Sequence, residues 1–192
     1  MYYSKDYLEK KTGPHGIGRP NYLKSLVDEF RSCHDQKDSR RQVLANLANF
    51  AYDPINYDYM RRLNVIQIFI DTLDAEDEKL IEFAMAGLCN LSLDKDNKLL
   101  ILNKDAIQKI TTCLSNSNVE TVLNAISTLM FLVTAESKAA ITSPAVVQVM
   151  MKFQQSSNKR LSNLATVFLE DYCTDVAKSV CEKDVLSVDL PT

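Results

Sequence analysis

The amino-acid sequence predicts an all-α solenoid of three to four helical repeats, each about 40 residues long. One reason is that helix-breaking residues collect at one end, since three of the four glycines and two of the five prolines lie in residues 13–20. The second reason is that a set of apolar positions recurs with a step of 41, 41 and then 40 residues. After residue 20 the chain is therefore nearly free of turn residues, which favours helices over strands.

The repeat is carried by a leucine with matched neighbours. Leu47, Leu88 and Leu129 are each 41 residues apart, and Leu169 follows 40 residues later. A compact side chain stands four residues before each leucine and a large one three residues after it (Val43 and Phe50, Ala84 and Leu91, Ala125 and Leu132, Ala165 and Tyr172). One such unit cannot bury its own apolar face, so stacked units are expected to share a continuous core.

Each unit is predicted to contain three helices, which in the middle of the chain span 97–102, 106–114 and 119–133. Ser117 and Glu120 fit a capping box before the third of these helices. Asp53 before Pro54 is expected to end the first long helix, and Ser143 before Pro144 to open a later one. A glycine inside a helix costs about 1 kcal/mol relative to alanine. Gly87 therefore indicates close packing or a bound partner.

The domain organisation follows from these patterns. We expect an N-terminal tail over 1–20, a repeat domain over 21–174 and a C-terminal tail over 175–192. An incomplete unit (21–50) closes one end of the domain, and a final long helix (159–171) closes the other. The acidic stretch 71–78 is predicted to be a solvated loop and helix start, since acidic side chains offset the dipole at a helix N-terminus.

Composition excludes several functions. A net charge of −3 and a pI near 5.4 argue against autonomous nucleic-acid binding, which usually requires a basic surface. The five cysteines form no CxxC pair, which indicates a reducing compartment. We find no signal-peptide pattern and no apolar run of about 20 residues, so we expect no membrane association.

The sequence also gives no support for catalysis. His15 and His34 have no recognisable nucleophile partner, and there is no phosphate-binding glycine loop, HExxH motif or nucleophile elbow. We expect no enzymatic activity, no cofactor, no metal and no small-molecule substrate.

The third-helix segments resemble the armadillo repeat family, in which this helix typically reads A-x-x-x-L-x-N-L. Residues 84–91 (AMAGLCNL) match that pattern, and residues 43–50 (VLANLANF) nearly do. HEAT repeats have a similar length but two helices per unit, and they lack this asparagine. The resemblance implies a right-handed superhelix whose third helices line a concave groove.

Longer runs resemble one small branch of that family: 43–65, 82–91, 120–130 and 164–173. This resemblance implies a non-catalytic adaptor of the minor spliceosome, which acts in pre-mRNA splicing. Its partner would be an RNA-binding protein that carries an RRM, and together they would help to hold the capped end of a small nuclear RNA. Contact with RNA would then be mainly indirect, and the location nuclear, with the cytoplasm left open.

The resemblance also implies where the groove lies. The family's groove asparagine corresponds to Asn49 and Asn90, whereas Phe131 and Asp171 take the next two places. These asparagines could bind the backbone of a partner, or they could tie their own helix to a neighbouring segment. Both alternatives stay open here.

Importin-like members of the family place a tryptophan four residues before that asparagine. The corresponding residues here are small or aliphatic, namely Ala45, Ala86, Ser127 and Val167, and the chain contains no tryptophan. Binding of an extended basic peptide is therefore disfavoured, although an extended-peptide scaffold remains one alternative. Another is direct nucleic-acid binding through three basic pairs (Arg40–Arg41, Arg61–Arg62 and Lys159–Arg160).

The candidate partner-binding residues combine the groove positions with an aromatic and acidic cluster behind the first long helix. Tyrosines are favoured at interfaces, and of the cluster's tyrosines we expect at least one to be buried and one exposed. The full set is Asn46, Asn49, Tyr52, Asp53, Asn56, Tyr57, Phe83, Asn90, Asn124, Phe131, Asn163 and Asp171.

Overall fold

The computed structural model describes residues 6–7, 10, 16–33, 36–102 and 104–173. His15, His34, Cys181 and the predicted C-terminal tail over 175–192 lie outside the described residues, as does most of the predicted N-terminal tail. Within the described ranges every regular element is a helix. The chain divides into two compact units, Met1–Lys109 and Ile110–Thr192.

The first unit contains two long helices, one complete three-helix repeat and the beginning of the next repeat. Its elements are α1 (Arg19–Ser32), α2 (Lys37–Phe50), a 3-10 turn (Pro54–Asn56), α3 (Tyr57–Arg62), α4 (Val65–Thr72), α5 (Glu78–Leu91), α6 (Lys95–Ile101) and the start of α7 (Lys104–Thr112). Helix α2 packs against α1 and α5, and α4 packs against α5. Leu47, Phe69 and Leu88 are fully buried between them.

The second unit begins within α7, completes that repeat and contains one further three-helix repeat. Its elements are a 3-10 turn (Cys113–Ser115), α8 (Val119–Leu132), α9 (Lys138–Ile141), α10 (Pro144–Gln154) and α11 (Lys159–Tyr172). Helix α11 packs against both α10 and α8, with Ile126, Leu129 and Phe168 fully buried.

The predicted leucine register is confirmed by burial. The register leucines of α2, α5 and α8 are 0% exposed and Leu169 of α11 is 8% exposed. The compact residues four positions earlier are buried as well, because they lie one turn away on the same helix face. In chain order the helices form an incomplete first repeat (α1–α2) followed by three complete repeats (α3–α5, α6–α8 and α9–α11).

Capping moves one predicted helix start and changes one predicted capping residue. Helix α6 begins at Lys95 rather than at residue 97, because Asp94 accepts hydrogen bonds from the backbone N–H groups of Asp96 and Asn97. The cap of α8 is Asn118 rather than Ser117, since Asn118 Oδ1 accepts from Glu120 N at 2.9 Å. The predicted capping box at Ser117 is therefore wrong by one residue.

Other predicted boundaries are confirmed. Asp53 has an extended backbone (φ −96°, ψ 117°) ahead of Pro54, and Ser143 is likewise extended ahead of Pro144 at the start of α10. Among the described helices, none is long and apolar enough to span a membrane.

The close packing predicted at Gly87 is also confirmed. A Cβ atom added to Gly87 would lie 2.4 Å from Cε2 of Phe69, whose side chain is fully buried in α4. The glycine therefore allows α5 to approach α4.

Candidate partner-binding surface

The two asparagines at the family's groove position have different environments. Asn49 in α2 is exposed, and its side chain makes no hydrogen bond within the described part of the chain. In contrast, Asn90 Nδ2 donates to the carbonyl oxygen of Ala48 at 3.2 Å and so ties α5 to α2. For Asn90 the structure shows the second alternative, a bond to a neighbouring segment, whereas Asn49 is accessible to a partner.

The aromatic and acidic cluster is mixed, as predicted. Tyr52 is 58% exposed, whereas Tyr57 is 7% exposed and donates its hydroxyl hydrogen to the Asn90 carbonyl oxygen at 3.1 Å. The prediction of Tyr57 as a surface contact is wrong, because its side chain is buried and its hydroxyl is bonded to the backbone near the end of α5.

Asp53 and Asn56 are turned into the fold rather than displayed on an open surface. Asp53 is 9% exposed and Asn56 is fully buried. Asp53 Oδ1 accepts from Ile55 N at 3.3 Å, and Asn56 Nδ2 donates to the Phe50 carbonyl oxygen at 2.7 Å. The expectation that these two residues lie on an exposed surface is therefore wrong, and both side chains shape the turn that follows α2.

The remaining candidates lie on the third helices of their repeats. Asn46 of α2 accepts a hydrogen bond from Gln42 Nε2 at 3.2 Å, and Phe83 of α5 is half-buried. In the second unit Asn124 is half-buried, whereas Asn163 and Asp171 of α11 are exposed. Phe131 of α8 is 38% exposed and adds apolar area to the surface of the second unit.

Each basic pair contains an arginine that contacts other side chains of the same unit. Arg61 donates to Asp94 at 2.7 Å and to Asn97 at 2.8 Å, and also pairs with Asp58. Arg160 makes two hydrogen bonds to the Glu120 carboxylate, at 2.5 and 3.1 Å, which hold the pKa of Glu120 below its usual value. The guanidinium of Arg40 stacks on Phe30, 4.8 Å from the ring centroid. Phosphate would have to compete with these contacts for the three arginines.

Most of the acidic stretch 71–78 is a loop and helix start, as predicted, although residues 71 and 72 end α4 and Thr72 and Leu73 are buried. Asp77 caps α5 by accepting from Lys79 N at 3.0 Å, and Arg41 donates to both of its carboxylate oxygens at 2.9 and 3.1 Å. The bonds from Arg41 lower the pKa of Asp77 below its ordinary value of 3.8.

Asp77 allows capping to be separated from ion pairing. Asp77→Asn keeps a capping oxygen, whereas Asp77→Ala removes it, so we expect the alanine variant to be less stable than the asparagine variant by about 1 kcal/mol. Urea unfolding at neutral pH measures this difference, and equal midpoints for the two variants would contradict the capping role.

Because folding lowers the pKa of Asp77, its ion pair stabilises the native state above the ordinary aspartate pKa. This contribution is lost as the pH falls through the lowered, folded-state pKa. Asp77→Asn is therefore expected to flatten the acid limb of the stability profile below about pH 4.

The described residues contain no group of three or more potential metal ligands. Cys173 is 1% exposed and its burial raises the pKa of the thiol, which is the opposite of what a nucleophilic cysteine requires.

The three-helix repeats and the exposed third-helix side chains define an armadillo-type α-solenoid. No protein-family model matches the chain. Armadillo repeat-containing protein 7 of Mus musculus is 50% identical over 166 residues, which cover 85% of this chain and 83% of the mouse protein. The chain therefore belongs to the armadillo repeat family, alongside that mouse protein. Proteins of this family are typically non-catalytic scaffolds that bind other proteins.

Solved structures agree on the fold. An engineered protein superimposes with a TM-score of 0.71 at 17% identity, covering 83% of this chain and 66% of its own. A computationally designed armadillo repeat protein for modular peptide recognition gives a TM-score of 0.65 at 18% identity, covering 77% and 63%. A designed armadillo repeat protein in complex with the peptide (KR)4 gives 0.68 at 16% identity, covering 78% and 64%. The chain thus spans slightly less than two thirds of these designed proteins.

Proposed function

We propose that this chain is a non-catalytic adaptor that binds an RRM-containing RNA-binding protein within the minor spliceosome, in the nucleus. The observation that carries the adaptor role is the armadillo repeat relationship, which at 50% identity extends over most of both chains. The partner class follows from the resemblance of residues 43–65 and the matching later runs to one branch of the family.

The third helices support a dedicated protein partner rather than an extended basic peptide. The designed relative in complex with (KR)4 has the same fold, but this chain has no tryptophan with which to hold cationic side chains. Moreover, Asn90 already uses its amide group within the fold. In the first unit the exposed Asn49 can form a hydrogen bond to a partner, and in the second unit the exposed Phe131 can make an apolar contact. Each of these groups suits a folded partner or a helix.

Indirect contact with RNA is supported by the arginine contacts. Arg41, Arg61 and Arg160 each pair with carboxylates of the same chain. A cation that is already neutralised releases little counterion when it meets phosphate, so these pairs add little to nucleic-acid affinity. The RNA-binding partner would therefore supply most of the RNA contacts.

Affinity capture from cells tests this function. Tagged protein is expected to recover an RRM-containing protein together with minor-spliceosomal RNA. Phe131→Ser is expected to reduce that recovery about tenfold, because exposed aromatic residues are frequent anchors of interfaces. Asn49→Ala should give a smaller reduction, since one exposed hydrogen bond contributes about 1 kcal/mol.

Val119→Ser is the matched control, because Val119 lies on the same helix and is also 38% exposed but does not share the face of Phe131. Recovery of neither an RRM protein nor spliceosomal RNA by the wild type would refute the proposed function. Tight, steeply salt-dependent RNA binding by the isolated protein would instead favour direct recognition.

A further inference from the structure

Two turns of the first unit share one arrangement of side chains. Asp53 and Asn56 follow α2, and Asp94 and Asn97 follow α5, one repeat of 41 residues later. Each aspartate has an extended backbone and caps the next helical segment, and both asparagines are 0% exposed. The two turns therefore present the same pair of oxygen-bearing side chains.

In the later turn an arginine lies between these side chains. Arg61 at the end of α3 donates from Nη1 to Asp94 Oδ1 at 2.7 Å and to Asn97 Oδ1 at 2.8 Å. The guanidinium thus bridges a carboxylate and a buried amide oxygen, which are both acceptors.

In the earlier turn the corresponding acceptors have no donor. Asp53 Oδ2 and Asn56 Oδ1 are buried without a hydrogen-bond partner. The orientation of the Asn56 amide is fixed, because its Nδ2 must face the Phe50 carbonyl oxygen, which can only accept. The residue 41 positions before Arg61 is Pro20, which has no side-chain donor. Both turns therefore contain the two acceptors, but only the later turn contains an arginine that donates to them.

Burying such acceptors unpaired destabilises a fold, and a carboxylate is more costly than a neutral group. We propose that Asp53 and Asn56 bind the guanidinium of an arginine from a partner protein. This inference rests on the proposed function only in requiring a protein partner, whatever its identity.

The chain's own arginines do not supply this group. Residues 1–18 and 174–192 contain no arginine. Arg19, which begins α1, stacks on the Phe50 ring at 4.7 Å. The guanidinium therefore comes from a second chain.

Arginine suits the site better than lysine. Its planar fork can donate to two acceptors at once, whereas an ammonium group acts as a point charge. Tyr52, the residue before Asp53, is 58% exposed, so the surface next to this turn includes an aromatic side chain. Because Asp53 is only 9% exposed, motion of side chains at this rim has to admit the arginine. Leu93 lies one repeat after Tyr52 and is 60% exposed. Its side chain provides apolar area that could contact the partner residues on either side of the arginine.

The test is an NMR titration of the full-length protein with N-acetyl-arginine amide. We expect saturable shifts of the backbone amide signals of Ile55 and Asn56, with weaker shifts from N-acetyl-lysine amide. Asp53→Asn keeps a capping oxygen but removes the charge, and it is expected to weaken arginine binding about tenfold. Asp28→Asn, which removes an exposed carboxylate of the same unit, should bind arginine as the wild type does.

Several outcomes would overturn the site. These are the absence of saturable shifts in the wild type, equal shifts from arginine and lysine, and undiminished binding by a folded Asp53→Asn variant. Binding that appears only in Arg19→Gln would show that the chain fills the site itself. Because the probe is a small molecule, a negative titration leaves the captured partner unaffected and so separates this inference from the proposed function.

Discussion

Gly87→Ala is expected to destabilise the protein by about 2 kcal/mol, although alanine is the better helix former. The new Cβ would lie 2.4 Å from Phe69 Cε2 and 2.5 Å from Phe69 Cζ. The Phe69 ring is fully buried, so it has no open space into which to move. The overpacking at this contact is therefore expected to exceed the gain in helix propensity of about 1 kcal/mol.

Urea unfolding of the Gly87→Ala variant measures this loss of stability. Phe69→Leu is the second substitution of a double-mutant cycle, because it shortens the side chain that the new Cβ would contact. The leucine alone should destabilise the core, because it leaves a cavity. In the Gly87→Ala background, Phe69→Leu should lower the free energy of unfolding by less than it does in the wild type. The double variant should therefore be more stable than the sum of the two single effects predicts. A Gly87→Ala variant more stable than the wild type would show that α4 and α5 can separate without loss.

Arg61→Ala is the second change with a large expected effect, a loss of about 2 kcal/mol in the free energy of unfolding. The substitution removes both hydrogen bonds that Arg61 makes to the following repeat. Asn97 is fully buried, so its carbonyl oxygen would be left without a donor. Arg61→Lys should recover only part of the loss, because a lysine does not reproduce the planar fork.

Arg62→Ala is the control for this change, since Arg62 is the exposed neighbour on the same helix. Its effect should stay within about 0.5 kcal/mol, as is usual for surface positions. Equal effects of the two alanine variants on thermal and urea unfolding would mean that the Arg61 bridge does not stabilise the contact between repeats.

Much of the fold could be predicted from periodicity. The leucine step identified the buried face of each third helix, because side chains at i, i+3 and i+4 share one face of a helix. The helix boundaries were less accurate, since they depend on which side chain caps the first turn. Asn118 and Ser117 are both good caps by type, and only the turn geometry selects Asn118.

The candidate site was predicted less well than the fold. The sequence pattern predicted the same groove position for Asn49 and Asn90. In the structure the two differ, because Asn90 donates a hydrogen bond to the Ala48 carbonyl oxygen whereas Asn49 is exposed. Asn56 was predicted as a contact residue from its neighbours in sequence, although packing buries it completely. One signal for its structural role was present, since Asn56 and Asn97 recur at the repeat step, as core and turn residues do.

By itself the sequence determined the repeat length, the buried stripe, the missing tryptophan and the resemblance to armadillo repeats. These properties depend on residue type and local spacing, which a linear pattern contains. Only the tertiary structure decided which polar groups are already paired. Asn90 meets Ala48, Arg61 meets Asn97, and Arg160 meets Glu120 across sequence separations of 42, 36 and 40 residues. Such pairings depend on how neighbouring helices pack, and this packing leaves Asn49 exposed while it encloses the acceptors of Asp53 and Asn56.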